Sequence, residues 1–290
     1  MNNLVTVGIT TYNRPDTLRD TLNSVIIQTY KNLEILVIDD CSNGNATKEV
    51  VEEFQKKDPR IVFYKCHKKK CHVENINYCV RQAKGEFFVW VMDDDWIDDS
   101  YVEKCLNYKL NHPEYVIACG KTKFYRGNEF AFDGAIINVE ESSNIKRIFS
   151  FLDKQLGTAA CPSYGMVKTK NFLNIPLKRI LGHDNVWVAN LAYLGKIKIL
   201  EDVCIHRRLG GTSESLKKSA KAGNYSDYEI NYPFIALWRN IFVDIAWESK
   251  ALKSLNLLSR LLIAMNFNLM LLFNLKKYCD RYKLRKLNIA

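Results

Sequence analysis

Apolar runs and helical repeats alternate along the first hundred residues and predict strands and helices in turn. Short runs rich in β-branched and aromatic residues favour buried strands, and they lie at residues 4–10, 33–38, 60–64 and 87–92. Apolar residues at helical spacing fall between these runs and predict helices at 47–57 and 73–83, and before them a helix that Asp16 or Thr17 caps and that includes Ile26. Strands that alternate with helices across short connections favour an α/β fold with a mostly parallel, twisted sheet flanked by helices.

The pattern is less regular after residue 100. The later elements are predicted as a helix at 100–111, a strand at 115–123, a helix after Asp184 and a short strand at 196–200. Residues 124–181 show no clear periodicity and are expected to be irregular, and the polar segment 217–224 is predicted to be a linker or a mobile loop. The sequence therefore predicts a first domain over residues 1–223 and a helical C-terminal region over 224–290.

Three consecutive carboxylates, Asp93, Asp94 and Asp95, follow the fourth predicted strand. Packed at one strand end, they would repel each other strongly unless a cation lay among them. Carboxylate oxygens are the natural ligands of Mg²⁺ and Mn²⁺, and such ions commonly bind substrate phosphates as well. In open α/β sheets the ligand crevice lies beyond the carboxyl ends of the strands. The sequence predicts a metal and phosphate site here, with a solvated acidic turn as the alternative.

Polar residues also follow the first two predicted strands. Residues 10–14 come after the first strand, and Asp39 and Asp40 come after the second. If the strands run parallel, all three ends face one crevice, where carboxylates can accept hydrogen bonds from a base or a ribose. Neither the GxGxxG loop of a dinucleotide fold nor the GxxxxGK[ST] of a P-loop is present. The layout predicts a nucleotide pocket of another kind.

Four segments of this region occur in a specific order: VTVGITTYNR at 5–14, LVIDDCS at 36–42, AKGEFFVWVMDDD at 83–95 and GHD at 182–184. Together they resemble the inverting glycosyltransferases of family 2, which have the GT-A fold. The resemblance covers roughly residues 5–213, is strongest up to Asp95 and leaves the C-terminal tail uncovered. Each motif is weak alone, but the ordered set at these spacings is specific.

The resemblance implies roles for individual residues. Contacts to the nucleotide sugar fall on Thr10, Thr11, Tyr12, Asn13, Arg14, Asp39, Asp40, Asn77, Asp93, Asp94, Arg207 and Arg208. Ligands of Mn²⁺ or Mg²⁺, which would bridge the diphosphate, fall on Asp93, Asp95 and His206. Asp184 matches the general base, although a simple N-cap of the following helix is the structural alternative.

One departure from the family lies before the acid-ended strand. Family members often carry Ala-Arg-Asn where this chain has Asn75, Ile76 and Asn77, so a nucleotide contact on that side is missing. The basic loop formed by residues 68–70 is the candidate replacement. His183, beside the predicted base, is expected to be a local hydrogen-bonding partner.

The resemblance implies transfer of a sugar, with inversion, from a nucleotide-diphosphate sugar to a saccharide acceptor. A UDP-sugar is the expected donor, and a glycan or polyprenyl-linked saccharide of bacterial surface polysaccharide synthesis is the expected acceptor. A divalent ion with Arg207 or Arg208 would neutralise the leaving group, and Asp184 would take the acceptor proton. The alternatives are a metal-dependent nucleotidyltransferase and a non-enzymatic basic module that binds nucleic acid or membrane.

Charge is concentrated in the C-terminal region. The net charge is +10, and ten basic residues but only three acidic ones follow Trp238, which suits an anionic partner. Acids at three strand ends argue against nucleic acid as that partner. Residues 252–275 are very apolar but interrupted by polar ones, so amphipathic helices on the inner leaflet are expected. Their expected polar stripe consists of Ser249, Lys253, Asn256 and Arg260. Helices packed on the first domain, or on a second subunit of a homo-oligomer, are the alternative.

The overall composition is that of an ordinary soluble protein, with 47% hydrophobic and 26% charged residues. Nine cysteines without a repeating spacing are typical of reduced, buried thiols. The pairs Cys66-His67 and Cys71-His72 leave a zinc site open, but their spacing matches no common finger. No export signal is visible at the N-terminus, so the expected location is the cytoplasm, on the cytoplasmic face of the inner membrane.

Overall fold

Four neighbouring parallel strands confirm the α/β fold predicted for the first hundred residues. The structure, a computed structural model, describes residues 3–156, 158–210 and 215–281. Its strands are β1 Val5–Thr11, β2 Leu33–Asp39, β3 Ile61–Lys65, β4 Phe87–Met92, β5 Trp96–Ile97, β6 Tyr115–Arg126, β7 Glu129–Asp133, β8 Val167–Lys168 and β9 Lys196–Arg208. Its helices are α1 Pro15–Ile26, α2 Ala46–Lys57, α3 His72–Gln82, α4 Tyr101–Asn111, α5 Asn144–Gln155, α6 Thr169–Asn174, α7 His183–Leu194, α8 Leu216–Ala222, α9 Asp227–Asn231, α10 Pro233–Val243, α11 Leu257–Phe273 and α12 Leu275–Arg281.

Both faces of the central sheet, ordered β3-β2-β1-β4-β8, are covered, which explains the continuous apolar runs of its strands. On β4, Val91 shares a hydrophobic cluster with residues of α1, α2 and α4, whereas Trp90 belongs to a cluster with α3 and α7. Gly8 lies on the α3 side, where a Cβ would come within 2.7 Å of the Cys79 sulfur. Glycine at this position therefore lets α3 lie close against the sheet.

The register of the parallel strands brings three strand ends together. Thr11 at the end of β1 is opposite Asp39 on β2, and Thr10 is opposite Met92 on β4. The loops that follow β1, β2 and β4 consequently leave the same edge of the sheet. This edge is where open α/β sheets bind their ligands.

Residues 124–181, expected to be irregular, instead contain β7, α5, β8, α6 and the end of β6. The predicted short strand at 196–200 is only the first part of β9, which belongs to a second sheet ordered β5-β9-β6-β7. The register between β6 and β9 shifts, because Gly120 faces Leu200 but Lys121 faces Cys204. The acidic residues at 201 and 202 fall in this irregularity, so the apolar pattern breaks in the middle of the strand.

The segment 217–224, predicted as a linker or mobile loop, largely forms α8, so that prediction is wrong. Ser215 caps the helix, since its side chain accepts a hydrogen bond from the backbone N–H of Lys218. The last residues of the resembling region, 211–213, and the tail beyond 281 lie outside the described residues.

The polar stripe expected in the tail is also wrong. α11 begins only at Leu257, after its N-cap Asn256, so the earlier members of the stripe precede the helix. Arg260 lies on the packed side of α11, where its Nε donates to the carbonyl of Ile245 at 3.1 Å. The helix boundary and this partly buried contact leave no polar face of the kind expected.

One face of α11 packs against the rest of the protein, as the alternative prediction held. Ile263, Phe267 and Leu271 belong to the same hydrophobic cluster as residues of α3 and α7. The C-terminal helices therefore share a core with the sheet, while the domain boundary at residue 223 stays a prediction. Within the described part of the chain, no single helix is long and apolar enough to cross a membrane. α11 and α12 meet that measure only as a pair, bent by 67°.

Candidate functional site

The three carboxylates that follow β4 are paired with arginines. Asp95 has no exposed surface, and its Oδ2 lies 2.9 Å from Nε of Arg207. Asp93 is only 3% exposed, and its Oδ1 lies 3.3 Å from Nη1 of Arg14. The same Nη1 lies 2.6 Å from Oδ2 of Asp94. The acid cluster, Asp93 to Asp95, is thus held by charge-assisted hydrogen bonds from two arginines.

Burial dominates the electrostatics of the acid cluster. It raises the pKa of both Asp93 and Asp95 to about 6. The positive charges of Arg14 and Arg207 act in the opposite direction, and the negative charge of Asp94 adds to the rise. These two carboxylates are therefore difficult to ionise, and a further positive charge nearby would stabilise them.

Two arginines of β9 reach the acid cluster from the second sheet. The guanidinium of Arg207 lies 4.4 Å from the ring centroid of Tyr164, which stacks on Trp90 with centroids 5.0 Å apart. Arg208 donates from Nη1 to the carbonyl of Asp94 at 3.0 Å. The sequence indicated only a turn around Tyr164, because its contacts with β4 and β9 leave no local signal.

The loop after β1 is bound to the acid cluster and to the loop after β2. Tyr12 donates its backbone N–H to Asp93 at 3.4 Å. Asn13 adopts a left-handed φ of 53° and donates its backbone N–H to Oγ of Ser42 at 2.8 Å. The loop that carries predicted nucleotide contacts is fixed on both sides.

The two aspartates after β2 are buried at the same edge. Asp40 donates its backbone N–H to the carbonyl of Thr11 at 2.9 Å, and its Oδ1 accepts from the backbone N–H of Lys70 at 2.6 Å. Oδ1 of Asp39 accepts from the backbone N–H of Ser42 at 2.9 Å. Oδ2 of Asp39 is buried and has no hydrogen-bond partner among the described residues. Such an atom costs free energy unless a ligand donates to it.

The basic loop borders this crevice, while Asn77 is occupied elsewhere. The ammonium of Lys69 lies 3.7 Å from the ring centroid of Tyr12, a cation–π contact beside the predicted nucleotide pocket. The side-chain amide of Asn77 donates to the carbonyl of Leu177 at 2.8 Å and accepts from its N–H at 3.0 Å. The nucleotide contacts predicted for the basic loop and for Asn77 stay predictions.

Asp184 is the second residue of α7, and the N-cap is Gly182 with a left-handed φ of 78°. The alternative that Asp184 is itself the N-cap is therefore wrong. The neighbouring His183 lies between two partners, with Nε2 3.3 Å from Nε2 of His72 and Nδ1 3.3 Å from the hydroxyl of Tyr225. These contacts confirm its predicted role as a local hydrogen-bonding partner.

His72 and His183 are neutral at pH 7. Burial lowers the pKa of His72 to about 4 and also lowers the pKa of His183, although the charge of Asp184 acts in the opposite direction. His72 begins α3, two residues after Lys70, whose backbone N–H binds Asp40. The chain from Lys70 to His72 and the contact of His72 with His183 thus connect the crevice to the residue before Asp184.

His206 lies beside the acid cluster but has two partners of its own. Its Nε2 lies 2.7 Å from Oδ1 of Asp98, and its Nδ1 lies 3.0 Å from the hydroxyl of Tyr125. Its ring stacks on Trp96 with centroids 5.1 Å apart. In residues 3–156, 158–210 and 215–281, no group of three or more histidine, cysteine, aspartate or glutamate side chains could hold a metal ion. The metal role of His206 stays a prediction, and the zinc alternative gains no support.

The chain is similar in sequence to known glycosyltransferases. The family model described as Glycosyl transferase family 2 matches residues 6–173. The uncharacterized glycosyltransferase MJ1057 of Methanocaldococcus jannaschii is 27% identical over 243 residues, which is 82% of this chain and 80% of that protein. Glycosyltransferase GlyA of Streptococcus pneumoniae is 35% identical over 125 residues, which is 43% of this chain and 17% of GlyA.

Solved structures of S. aureus TarS share the fold. The crystal structure of TarS 1-349 in complex with UDP-GlcNAc has a TM-score of 0.63 and 21% identity, covering 91% of this chain and 71% of that chain. A longer TarS chain is matched over 42% of its length, with a TM-score of 0.61. This likeness confirms the predicted GT-A fold.

The raised pKa of Asp93 predicts that the site is less stable when ionised. The folded protein binds this proton more tightly than the unfolded chain, in which an aspartate pKa is about 3.9. The cost to stability is therefore absent below about pH 4, grows as the pH rises from about 4 to 6, and stays constant above that. We expect Asp93→Asn to raise the free energy of unfolding at pH 7.5 by about 1–3 kcal/mol, and to add nothing at pH 4.

Urea denaturation in EDTA across this pH range measures the effect. Asp94→Asn is the matched control, because the side chain of Asp94 is 21% exposed against 4% for Asp93 and pairs with the same arginine. We expect a smaller pH-dependent gain from it, because it removes only the repulsion that Asp94 exerts on Asp93 and Asp95. A less stable Asp93→Asn protein at pH 7.5 would mean that Arg14 stabilises the carboxylate more than burial opposes it.

Proposed function

Because the chain belongs to glycosyl transferase family 2, we propose that it transfers a sugar from a nucleotide-diphosphate sugar to a saccharide acceptor, with inversion at the anomeric carbon. We assign a UDP-sugar as the donor, since the TarS neighbour binds UDP-GlcNAc in its crystal structure. The role fits bacterial surface polysaccharide synthesis, as the resemblance of the motifs implies.

The observation that carries this proposal is the gathering of a buried carboxylate oxygen and three arginines at one edge of the sheet. Oδ2 of Asp39 has no partner among the described residues and would accept from a ribose hydroxyl or a base N–H. Arg14, Arg207 and Arg208 surround the acid cluster and supply positive charge for a diphosphate. Recognition of the nucleoside and of the phosphates is thus divided between two strand ends.

Asp93 and Asp95 fit a divalent cation by the chemistry of their donor atoms. They are hard oxygen ligands whose raised pKa a cation would lower. Mg²⁺ is usually bound by one or two carboxylates together with substrate phosphates, so two aspartates suffice. His206 would join as a third ligand only by giving up Asp98 or Tyr125. When bound, Mn²⁺ or Mg²⁺ neutralises charge on the leaving diphosphate.

Asp184 is the proposed general base. In this role its carboxylate takes the proton of the acceptor hydroxyl as that oxygen attacks the sugar from the face opposite the diphosphate. The neighbouring His72 and His183 are neutral at pH 7, so no imidazolium pairs with this carboxylate.

Asp184→Asn tests the assignment directly. We expect it to keep donor binding, measured as the thermal shift with UDP-sugars and Mn²⁺, because a bound ligand raises the stability of the native state. We expect transfer to fall by about 10²–10⁴-fold, because only the base is lost. EDTA should abolish transfer by the wild type.

The exposed Asp99→Asn is the matched control for removal of a carboxylate and should keep full transfer. Unchanged turnover of Asp184→Asn would refute the base assignment. Full transfer in EDTA would refute the metal assignment. Transfer of a nucleotidyl group in place of a sugar would favour the nucleotidyltransferase alternative.

We further propose that the enzyme works on the cytoplasmic face of the inner membrane, where a polyprenyl-linked saccharide can reach it. The supporting feature is an exposed apolar stripe on α11, opposite its packed face. Its members follow helical spacing: Leu258, Leu262, Met265, Leu269 and Leu272. Phe273 at the end of the helix is 85% exposed. Contiguous exposed apolar surface of this size is typical of an interaction site.

Charge around the stripe favours an anionic lipid surface over a second copy of the chain. No charged residue lies between Arg260 and Lys276, and the exposed Lys253 and Lys276 stand near the two ends of the helix. Lysines at both ends suit anionic headgroups on either side of an embedded helix face. Two copies packed antiparallel along the stripe would bring these lysines together and repel.

Vesicle sedimentation with phosphatidylglycerol tests this contact. We expect Leu262→Glu with Leu269→Glu to reduce vesicle binding at least tenfold, because two charges enter the stripe. The matched control is Asn266→Glu with Asn268→Glu, which adds the same charge beside the stripe on exposed positions and should change binding less than threefold. Equal binding by both variants would refute the lipid contact. A dimer that only the stripe variant disrupts would identify a second copy as the occupant.

A further inference from the structure

The turn that leads into Asp184 is bound on both sides by the C-terminal helices. Glu229 on α9 accepts from the backbone N–H of Leu181 with Oε1 at 2.9 Å. Asn240 on α10 donates from Nδ2 to the carbonyl of Leu181 at 3.1 Å. The same Nδ2 lies 3.1 Å from Oε1 of Glu229, so the two side chains also bind each other. Both backbone groups of one residue are thus satisfied by side chains far away in sequence.

The next two residues of the turn are also in contact with this region. A Cβ on Gly182 would come within 2.1 Å of Cδ1 of Leu237, so α10 packs where only glycine leaves room. His183 is bound by the hydroxyl of Tyr225, which precedes α9. Every residue from Leu181 to His183 is therefore contacted by the chain after residue 223.

The contacts of Glu229 and Asn240 with Leu181 are directed hydrogen bonds, unlike the packing of Leu237 on Gly182. Burial opposes the charge of Glu229, but hydrogen bonds from Leu181, Asn240 and Ser226 outweigh it and lower the pKa of Glu229. An ionised acceptor holds a backbone N–H more strongly than a neutral one. The start of α7 is consequently fixed by a charged group and an amide that hold each other in place.

We propose that Glu229 and Asn240 are positioning residues for Asp184. They fix the turn before α7 and so the direction in which the carboxylate meets the acceptor hydroxyl. This inference rests on the function proposed above for Asp184. A displacement of about 1 Å at a reacting group can lower the rate by about 10²-fold. Contacts that fix the turn just before Asp184 can therefore affect the rate of transfer.

Glu229→Ala and Asn240→Ala test the proposal in the full-length protein with a UDP-sugar donor. We expect kcat for transfer to fall by about 10–100-fold while the donor KM and the donor-induced thermal shift stay within twofold, because the donor crevice is untouched. Glu229→Gln keeps an oxygen in place of Oε1 and should recover most of the lost kcat. Asn240→Ala repeats the test without altering α9.

Ser226→Ala is the matched control. Ser226 binds Oε2 of Glu229 and caps α9, but leaves the contact of Oε1 with Leu181 in place. We expect it to lower the melting temperature and to keep kcat within twofold. An equal fall of kcat in Ser226→Ala and Glu229→Ala would show that only the stability of α9 matters and overturn the positioning role.

The same assay separates this inference from the proposed function. Wild-type kcat in folded Glu229→Ala and Asn240→Ala, with transfer lost in Asp184→Asn, overturns the positioning role alone. Full transfer by Asp184→Asn overturns the base, and with it the role of its two positioning residues. A rise of the donor KM in place of a fall in kcat would assign Glu229 and Asn240 to donor binding and overturn the proposal as stated.

Discussion

The ion pair between Asp95 and Arg207 joins the two sheets at the point where the crevice opens. Asp95 follows the central strand β4, and Arg207 lies on β9 of the second sheet. Asp95 is fully buried and the side chain of Arg207 is only 16% exposed, so each charge offsets the cost of removing the other from water. Tyr164 packs against Arg207 and stacks on Trp90, so the same contact also holds the segment between β7 and β8. The relative placement of the acid cluster and the basic residues of β9 depends on this pair.

Each carboxylate of the acid cluster has an arginine partner before any ligand arrives, although two of them share one arginine. Asp93 and Asp94 share Arg14, and Asp95 has Arg207. In the proposed function a cation and a diphosphate would bind together. Their charges are opposite, like those of the aspartate–arginine pairs already present. Asp93 and Asp95 would hold the cation and the arginines would face the diphosphate, so each buried charge would again have a partner of opposite sign. Such an arrangement is organised in advance for the charge of a leaving diphosphate.

The sequence predicted what depends on local pattern. Strands β1 to β4 and helices α2 and α3 were placed to within one residue, because both faces of the sheet are covered and the apolar runs are continuous, whereas α1 begins two or three residues before its predicted start. The gathering of Asp39 and the acid cluster followed from parallel strands alone. The second part of β9 was missed because the shift of register after Leu200 interrupts its pattern. Helix α8 was missed because its polar, lysine-rich sequence resembles a loop apart from the cap by Ser215.

Individual side-chain hydrogen bonds between residues distant in sequence could not be predicted. Asp98 meets His206 across 108 positions, and Glu229 meets Leu181 across 48. No local sequence pattern predicts these contacts, because they form only when the chain has folded. Asp184 is different, because it belongs to the local motif GHD at 182–184.

The fit of Leu237 against Gly182 has a consequence for how this chain can be recombined with its relatives. A hybrid that grafts another protein's last seventy or so residues onto this one would need a matching leucine, carboxylate and amide at the junction with α7. Recombination between relatives is therefore expected to keep the turn at Leu181 and Gly182 together with the leucine, carboxylate and amide that contact it.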